Sequence, residues 1–251
     1  MTVSATAVAP PAAEEVRPAI SAADSAREEI ERRIIQLELV PGATFTEGDL
    51  ASSLGMSKTP VREALTLLAI DGLVAVAPRI GYRVTPVTMR DVQDLFDLRT
   101  LLEAEAFASA ASRRPAKADL PTLDRSARGS VADFLAADTQ FHIQLGRGSG
   151  NAMLSQLIVR AALHHERLMR LAIQLSPQPE AMKHDHDDLV AALHAGDQAS
   201  VRSIATSELA RTRQLVFEAM VASESILDAR IVYSEPLRLT FANDRRSAQS
   251  T

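Results

Sequence analysis

The chain has 251 residues, 46% of them hydrophobic, and a formal net charge of −5. That length admits one large or two ordinary domains with a sizeable core, and the absence of cysteine excludes disulfides, thiol catalysis and Cys-ligated zinc. The acidic balance argues against a protein that coats nucleic acid wholesale, and two Tyr, seven Phe and no Trp leave few platforms for stacking single strands.

No run approaches the roughly 20 apolar residues of a membrane span. The start, Met1 to Pro18, is rich in Ala, Val and Pro and lacks a basic segment followed by an apolar core, so no secretory signal is expected. Residues 1–19 read as a disordered arm, and a cytoplasmic location is expected. From Asp24 to Leu39, Ile30, Ile34, Ile35 and Leu37 recur at helical spacing, with Ser21 or Asp24 as cap and Val40-Pro41-Gly42 as stop. Thr46-Glu47-Gly48-Asp49 is a capping-box pattern that opens a short helix through Leu54, closed by Gly55. After a three-residue turn a third helix starts at Ser57, a good N-cap, and runs to about Ile70. Pro60 sits in its first turn, where a missing N–H costs little. Val61, Ala64, Leu65 and Leu68 form one stripe, and Lys58, Thr59 and Arg62 lie off it. Leu73–Val76 and Tyr82–Val84 then read as two short strands of a hairpin. The order of helix, helix, turn, helix and hairpin predicts a winged helix-turn-helix over residues 20–86.

Beyond Pro86-Val87 the character changes. Thr88-Met89-Arg90-Asp91 is a second capping box, and helical periodicity continues to about Leu227 with almost no strand signal. The expected helices are Met89–Arg113, Leu120–Arg128, Ser130–Gly146, Asn151–Gln174, Gln178–Ala195 and Gln198–Leu227. The fold class is therefore mainly α, a winged helix-turn-helix followed by an all-α bundle over residues 88–227. Residues 228–251 form a partly disordered tail.

The string Ser57-Lys58-Thr59-Pro60-Val61-Arg62-Glu63-Ala64-Leu65, with Asp49-Leu50-Ala51 before it and Asp71-Gly72-Leu73-Val74 after it, resembles the GntR-family winged helix. The helical half resembles the FadR-type effector domain (FCD) in Leu98-Arg99, Leu102-Glu103, Asp138-Thr139-Gln140-Phe141-His142, Gly150-Asn151 and the block from His186 to Gly196-Asp197. The resemblance spans about Ala26 to Val221. It implies a DNA-binding transcriptional regulator, usually a repressor, acting as a homodimer on a palindromic operator and responding to a small organic acid. In the family the third helix enters the major groove and the wing the adjacent minor groove. Carried over, Lys58 and Arg62 are the cationic reading residues, Ser57 and Thr59 position through phosphates, Gly81 lets the wing backbone approach, and Arg79 or Arg83 adds phosphate contacts. Many members have a further basic residue where this chain has Gly48. Residues 20–86 hold 7 Lys/Arg and 9 Asp/Glu, so arrangement rather than net charge supports DNA binding.

Within the bundle, Asp138 and His142 are four residues apart and share an inward face. His186 lies on the stripe of Leu189, Val190 and Leu193, and Glu208 on that of Val201, Ile204 and Leu215. Polar groups converging on an apolar interior need partners. A divalent Zn, Ni or Mn ion would serve all four, and so would a metal-free core in which the histidines bond Asp138 and Glu208. The family places a third His where this chain has Glu208. Arg99, on an apolar stripe, reads either as an internal pair with Glu103 or as a clamp for a carboxylate effector, and the resemblance adds Asn151 to the effector-binding residues. His164, His165 and His194 are expected at the surface or at helix ends. The competing class is a metal-dependent hydrolase with a helix-turn-helix appendage. Against it, the chain has no HExxH, nucleophile elbow or phosphate loop.

Overall fold

The structure is a computed structural model that describes residues 21–116, 120–121, 130–175 and 186–227. The arm 1–19, the tail 228–251, most of the helix expected over Leu120–Arg128 and the first half of that expected over Gln178–Ala195 lie outside the described residues.

Helix α1 (Ala22–Ile35) starts at Ser21, whose hydroxyl accepts the Asp24 amide. Thr44–Phe45 then form β1, a two-residue strand that no sequence period announces. Helix α2 (Glu47–Leu54) opens on the expected capping box, Thr46 with Asp49, and ends at Gly55 in the left-handed conformation. Helix α3 (Lys58–Ile70) buries Val61, Ala64, Leu65 and Leu68, the foreseen stripe. Ser57 has cap backbone geometry, yet its hydroxyl makes no capping hydrogen bond, which differs from expectation and leaves it exposed. Strands β2 (Val74–Ala77) and β3 (Gly81–Val84) pair antiparallel, and β1 adds to the other edge of β3, giving the order β1-β3-β2. Ile30, Ile34, Leu50, Leu65, Leu68 and Val84 meet in one core that joins the helices to the sheet.

Gly81 is fixed by this sheet. Its φ is +128°, and a Cβ there would lie 2.6 Å from the Phe45 carbonyl oxygen. Close approach of β1 therefore demands glycine at this position.

The remaining helices are α4 (Met89–Ser112), α5 (Val131–Gly148), α6 (Ala152–Leu175), α7 (Asp187–Ala195) and α8 (Gln198–Leu227). A capping box of Thr88 with Asp91 starts α4, and one of Ser130 with Asp133 starts α5. Asn151 Oδ1 accepts the amides of Met153 and Leu154 at the start of α6. Helix α4 packs most extensively on α8, and α5 on α6. Two cores result. One gathers Phe107, Phe141, Ile158, Leu189 and Val201, and the other Phe96, Leu135, Met169 and Val216. No helix among the described residues is long and apolar enough to cross a membrane.

Candidate functional site

Two surfaces carry the chemistry. The first is the outer face of the winged helix. Ser57, Lys58, Thr59 and Arg62 are exposed on the first turns of α3, while the opposite face of that helix is locked in the core. Arg79 occupies the β2–β3 turn with φ +67°, and Arg83 lies on β3 opposite Thr44. Both are exposed. Arg62 is not loose. Its Nε and Nη2 donate to Glu47 at 2.8–3.1 Å. Glu47 Oε1 is also 3.4 Å from the Tyr82 hydroxyl on β3. Hydrogen bonding from Arg62 holds the Glu47 carboxyl below its ordinary range. Gly48 faces the stem of Lys58, whose Cε would sit 3.5 Å from a Cβ at that position.

The second surface is internal. Arg99 and Glu103, one turn apart on α4, are each 1% exposed, and Arg99 Nε donates to Glu103 Oε1 at 2.6 Å. The other oxygen of Glu103 faces His142 Nδ1 at 2.8 Å. Burial alone would raise the Glu103 carboxyl, but Arg99 and His142 outweigh it and hold it at about 2. On α5, Asp138 Oδ1 lies 3.8 Å from His142 Nε2 and 2.9 Å from His186 Nε2. His186 stands at the position before α7, stacked on Phe141 at 4.4 Å. Its other nitrogen, Nδ1, lies 3.1 Å from Glu208 Oε2 on α8. Burial disfavours charge on His186, yet hydrogen bonds to Asp138 and Glu208 carry its imidazolium up to about 9.

The structure thus brings Asp138, His142 and His186 together, with ligand-type atoms all within 4.8 Å of one another. The donor set fits a divalent ion. Both Nε2 atoms face one Asp138 oxygen, and each Nδ1 is held by a carboxylate, Glu103 on one side and Glu208 on the other. Donation of Nδ1–H to a carboxylate fixes the tautomer in which Nε2 would ligate, and at His186 an ion would displace the proton that Nε2 shares with Asp138. Glu208 meets His186 on the nitrogen turned away from the group, so it sits outside the three-residue cluster. Asn151 is exposed and acts as the α6 cap described above. The structure does not bring it into the cluster.

His165 corrects a sequence expectation. It is not a surface residue but 3% exposed, edge-on to Phe96 with ring centroids 5.4 Å apart. Its position was readable, because it continues the buried stripe Ile158, Ala161, Ala162, Leu168, Met169 of α6. Burial keeps it neutral, its pKa far below the ordinary histidine value, and Arg99 adds to that effect. Among the described residues, its Nε2 and the Nη1 of Arg99 are buried side-chain atoms without a hydrogen-bond partner. His164, its neighbour, is half-buried and faces the Asp71 carbonyl at 3.2 Å, and His194 is exposed in the last turn of α7 as expected. Arg167 is also buried, and its Nη2 donates to the Thr85 carbonyl.

Family models match both halves of the chain. That of bacterial regulatory proteins of the gntR family covers residues 22–84, and that of the FCD domain covers residues 94–211. An HTH-type transcriptional regulator in an unstable DNA locus of Streptomyces ambofaciens is 32% identical over 185 residues, 72% of this chain and 78% of that protein. A Paenarthrobacter nicotinovorans protein named "Probable D-xylose utilization operon transcriptional repressor" is 32% identical over 181 residues, 70% of this chain and 80% of that protein. Among solved structures, E. coli McbR/YncC has a TM-score of 0.67 at 21% identity, covering 80% of this chain and 99% of that one, which is a likeness of fold.

Proposed function

The chain belongs to the GntR family of bacterial transcriptional regulators, with an FCD domain behind its winged helix, and we propose that it is a homodimeric repressor released from a palindromic operator by a small carboxylate. Regulators of this family bind DNA operators and FCD domains bind small-molecule effectors. Its relatives are regulators, and the hydrolase alternative has no support among them.

The DNA half of the reading places α3 in the major groove. Lys58 and Arg62 then approach base edges, while Ser57, Thr59, Arg79 and Arg83 approach phosphates. Gly81 serves the wing by allowing β1 to close on it. One winged helix offers few contacts, so useful affinity requires two half-sites and a dimer. Binding accordingly falls steeply with salt.

The effector half is carried by one observation: two of the four buried side-chain atoms without a hydrogen-bond partner among the described residues are Arg99 Nη1 on α4 and His165 Nε2 on α6, whose side chains interact with each other, and His165 also with Asp138 and His142. A buried donor without a partner is costly, and a bound carboxylate would satisfy Arg99. Asp138, His142 and His186 would hold a divalent ion, with Glu103 and Glu208 orienting the imidazoles. When bound, such an ion supplies positive charge and open coordination positions to an anionic ligand. Arg99 orients the ligand, and the surrounding Phe96, Phe107 and Phe141 exclude water.

Footprinting of the promoter beside the chain's own gene, followed by a thermal-shift screen of small organic acids and operator release with each hit, tests the whole reading. A protected palindrome and release by an acid whose effect is lost in Arg99→Met are expected. Full half-site affinity of an enforced monomer, or release that persists in Arg99→Met, would refute the respective half.

A further inference from the structure

One exposed ion pair on the winged helix joins three elements. Glu47 is the first residue of α2, Arg62 lies on α3 and Tyr82 on β3. Exposed pairs add little to stability, and the Arg62 side chain is 64% exposed. Glu47, 22% exposed in the first turn of α2, gains from the helix N-terminus, but that position does not require the grip on Arg62.

The edge that Glu47 grips is informative. Arg62 uses Nε and Nη2, at 3.0–3.1 Å and 2.8 Å, which is a side-on grip. A guanidinium has five N–H donors in a rigid plane. The grip consumes Nε–H and one Nη2–H. Both Nη1–H donors and the second Nη2–H remain, and one Nη1–H with that Nη2–H forms the end-on edge. Two N–H groups on one edge are what bidentate contact with guanine O6 and N7 requires. Arg62 can hence stay on Glu47 and still read a guanine. The Tyr82 hydroxyl, 3.4 Å from Glu47 Oε1, braces the carboxylate from the wing side. Hydrogen bonding and charge from Arg62, helped by Lys58, keep Glu47 ionised at neutral pH.

We propose that Glu47 is a positioning residue for base readout: it fixes the plane of the Arg62 guanidinium and turns its end-on edge toward a guanine of the operator. The proposal rests on the reading that α3 enters the major groove. It makes Glu47 a determinant of sequence discrimination, although a carboxylate repels phosphates and a simple charge count would set it against DNA. A side chain already fixed loses less freedom on contact, and a fixed plane penalises bases that lack the paired acceptors.

The test uses the full-length chain on its footprinted operator and on a series of single-base-pair substitutions, with unfolding midpoints measured alongside. Glu47→Gln is expected to lose about tenfold of the discrimination at one G·C pair per half-site, with no loss of affinity for unrelated DNA. Arg62→Ala should relax the same base pair, and the double variant should add nothing further. Tyr82→Phe should give a smaller relaxation at that same pair, which provides a reading if Glu47→Gln lowers the unfolding midpoint. Relaxation in Arg62→Ala with full discrimination in Glu47→Gln and Tyr82→Phe overturns the positioning role and spares the groove reading. Full discrimination in Arg62→Ala overturns both. Uniform tightening of Glu47→Gln on all sequences would show that the carboxylate competes with DNA for Arg62, and would also overturn the proposal.

Discussion

Removing Glu103 is the sharpest perturbation of the bundle interior. Glu103→Ala strips Arg99 of its counter-charge and His142 Nδ1 of its partner in one step, at positions 1% and 5% exposed. Breaking a buried pair by deleting one member costs about 3–5 kcal/mol, because the remaining charge stays buried without compensation. The titration of Glu103 gives a second route to the figure. A carboxyl moved from the ordinary 4.5 to about 2 by its native partners is worth roughly 3 kcal/mol of folding stability. Since the folded value is depressed, this stability is complete above the unfolded value of 4.5 and is lost progressively as pH falls from there through about 2. The penalty of the substitution should accordingly be flat across neutral pH. For a chain of this size each kcal/mol moves the midpoint by about 2–4 °C, so a fall of roughly 6–20 °C is expected. Urea and thermal unfolding followed by circular dichroism measure it. Arg99→Met/Glu103→Met should recover most of the loss, since a buried pair is worth little beyond apolar residues of similar size. A cost under about 1 kcal/mol for Glu103→Ala, or a double variant no more stable than the single one, would refute the reasoning.

Three further outcomes follow from the same geometry. Metal analysis and titration calorimetry should show that His142→Ala abolishes stoichiometric divalent metal, whereas Glu208→Gln weakens it about 10–100-fold through His186; complete loss in Glu208→Gln would make Glu208 a ligand after all. Gly81→Ala should cost roughly 1–3 kcal/mol, because the left-handed backbone and the Phe45 carbonyl both oppose a Cβ, and a neutral substitution in thermal unfolding would contradict that. His165 is held neutral in the fold while the unfolded chain protonates near 6.5. Stability therefore falls as pH drops below that value, by at most about 1.4 kcal/mol per pH unit for this group. Arg99, Asp138, His142 and Glu103 face it, so the measurement is the difference between wild type and His165→Gln, and an unchanged slope would exclude His165 as the source.

The winged helix was legible because its rules are local. The capping box at Thr46, the αL glycine at 55 and the period of Val61, Ala64, Leu65 and Leu68 all lie within a few residues of what they control. The two residues of β1 carry no period, and they become a strand only because β3, beyond α2, α3 and β2 in the chain, offers an edge. In the bundle, the four-residue spacings of Arg99–Glu103 and Asp138–His142 announced shared faces. Which nitrogen of His186 meets Glu208 depends on the relative rotation of α7 and α8, and no local pattern encodes it. His165 was a different kind of miss. Its stripe is in the sequence, but a titratable side chain is expected at the surface, and only the packing against Phe96 shows it buried.

That adjacent pair also says how the two halves can speak to each other. Successive residues on a helix point about 100° apart, so α6 directs His165 toward Arg99 and His164 toward the Asp71 carbonyl. Asp71 closes α3, and its carboxylate lies 3.0 Å from Arg27 and 3.4 Å from Arg160. Three residues further along α6, Arg167 reaches Thr85 between the wing and α4. Helix α3 is rigid over about 20 Å, with Asp71 at one end and Lys58 at the other, so a shift imposed at Asp71 arrives at the DNA-facing end. His164→Ala/Arg160→Ala removes two of the α6 grips on that end and touches neither the interior cluster nor the reading residues. Operator affinity without effector, and effector affinity without DNA, should each stay near wild type. The factor by which effector weakens operator binding should shrink by the equivalent of about 0.5–2 kcal/mol, and by reciprocity so should the effect of operator on effector affinity. Fluorescence anisotropy on the operator across an effector titration gives the factor. An undiminished factor in the double variant would place the coupling elsewhere, in the α4 linker or between protomers.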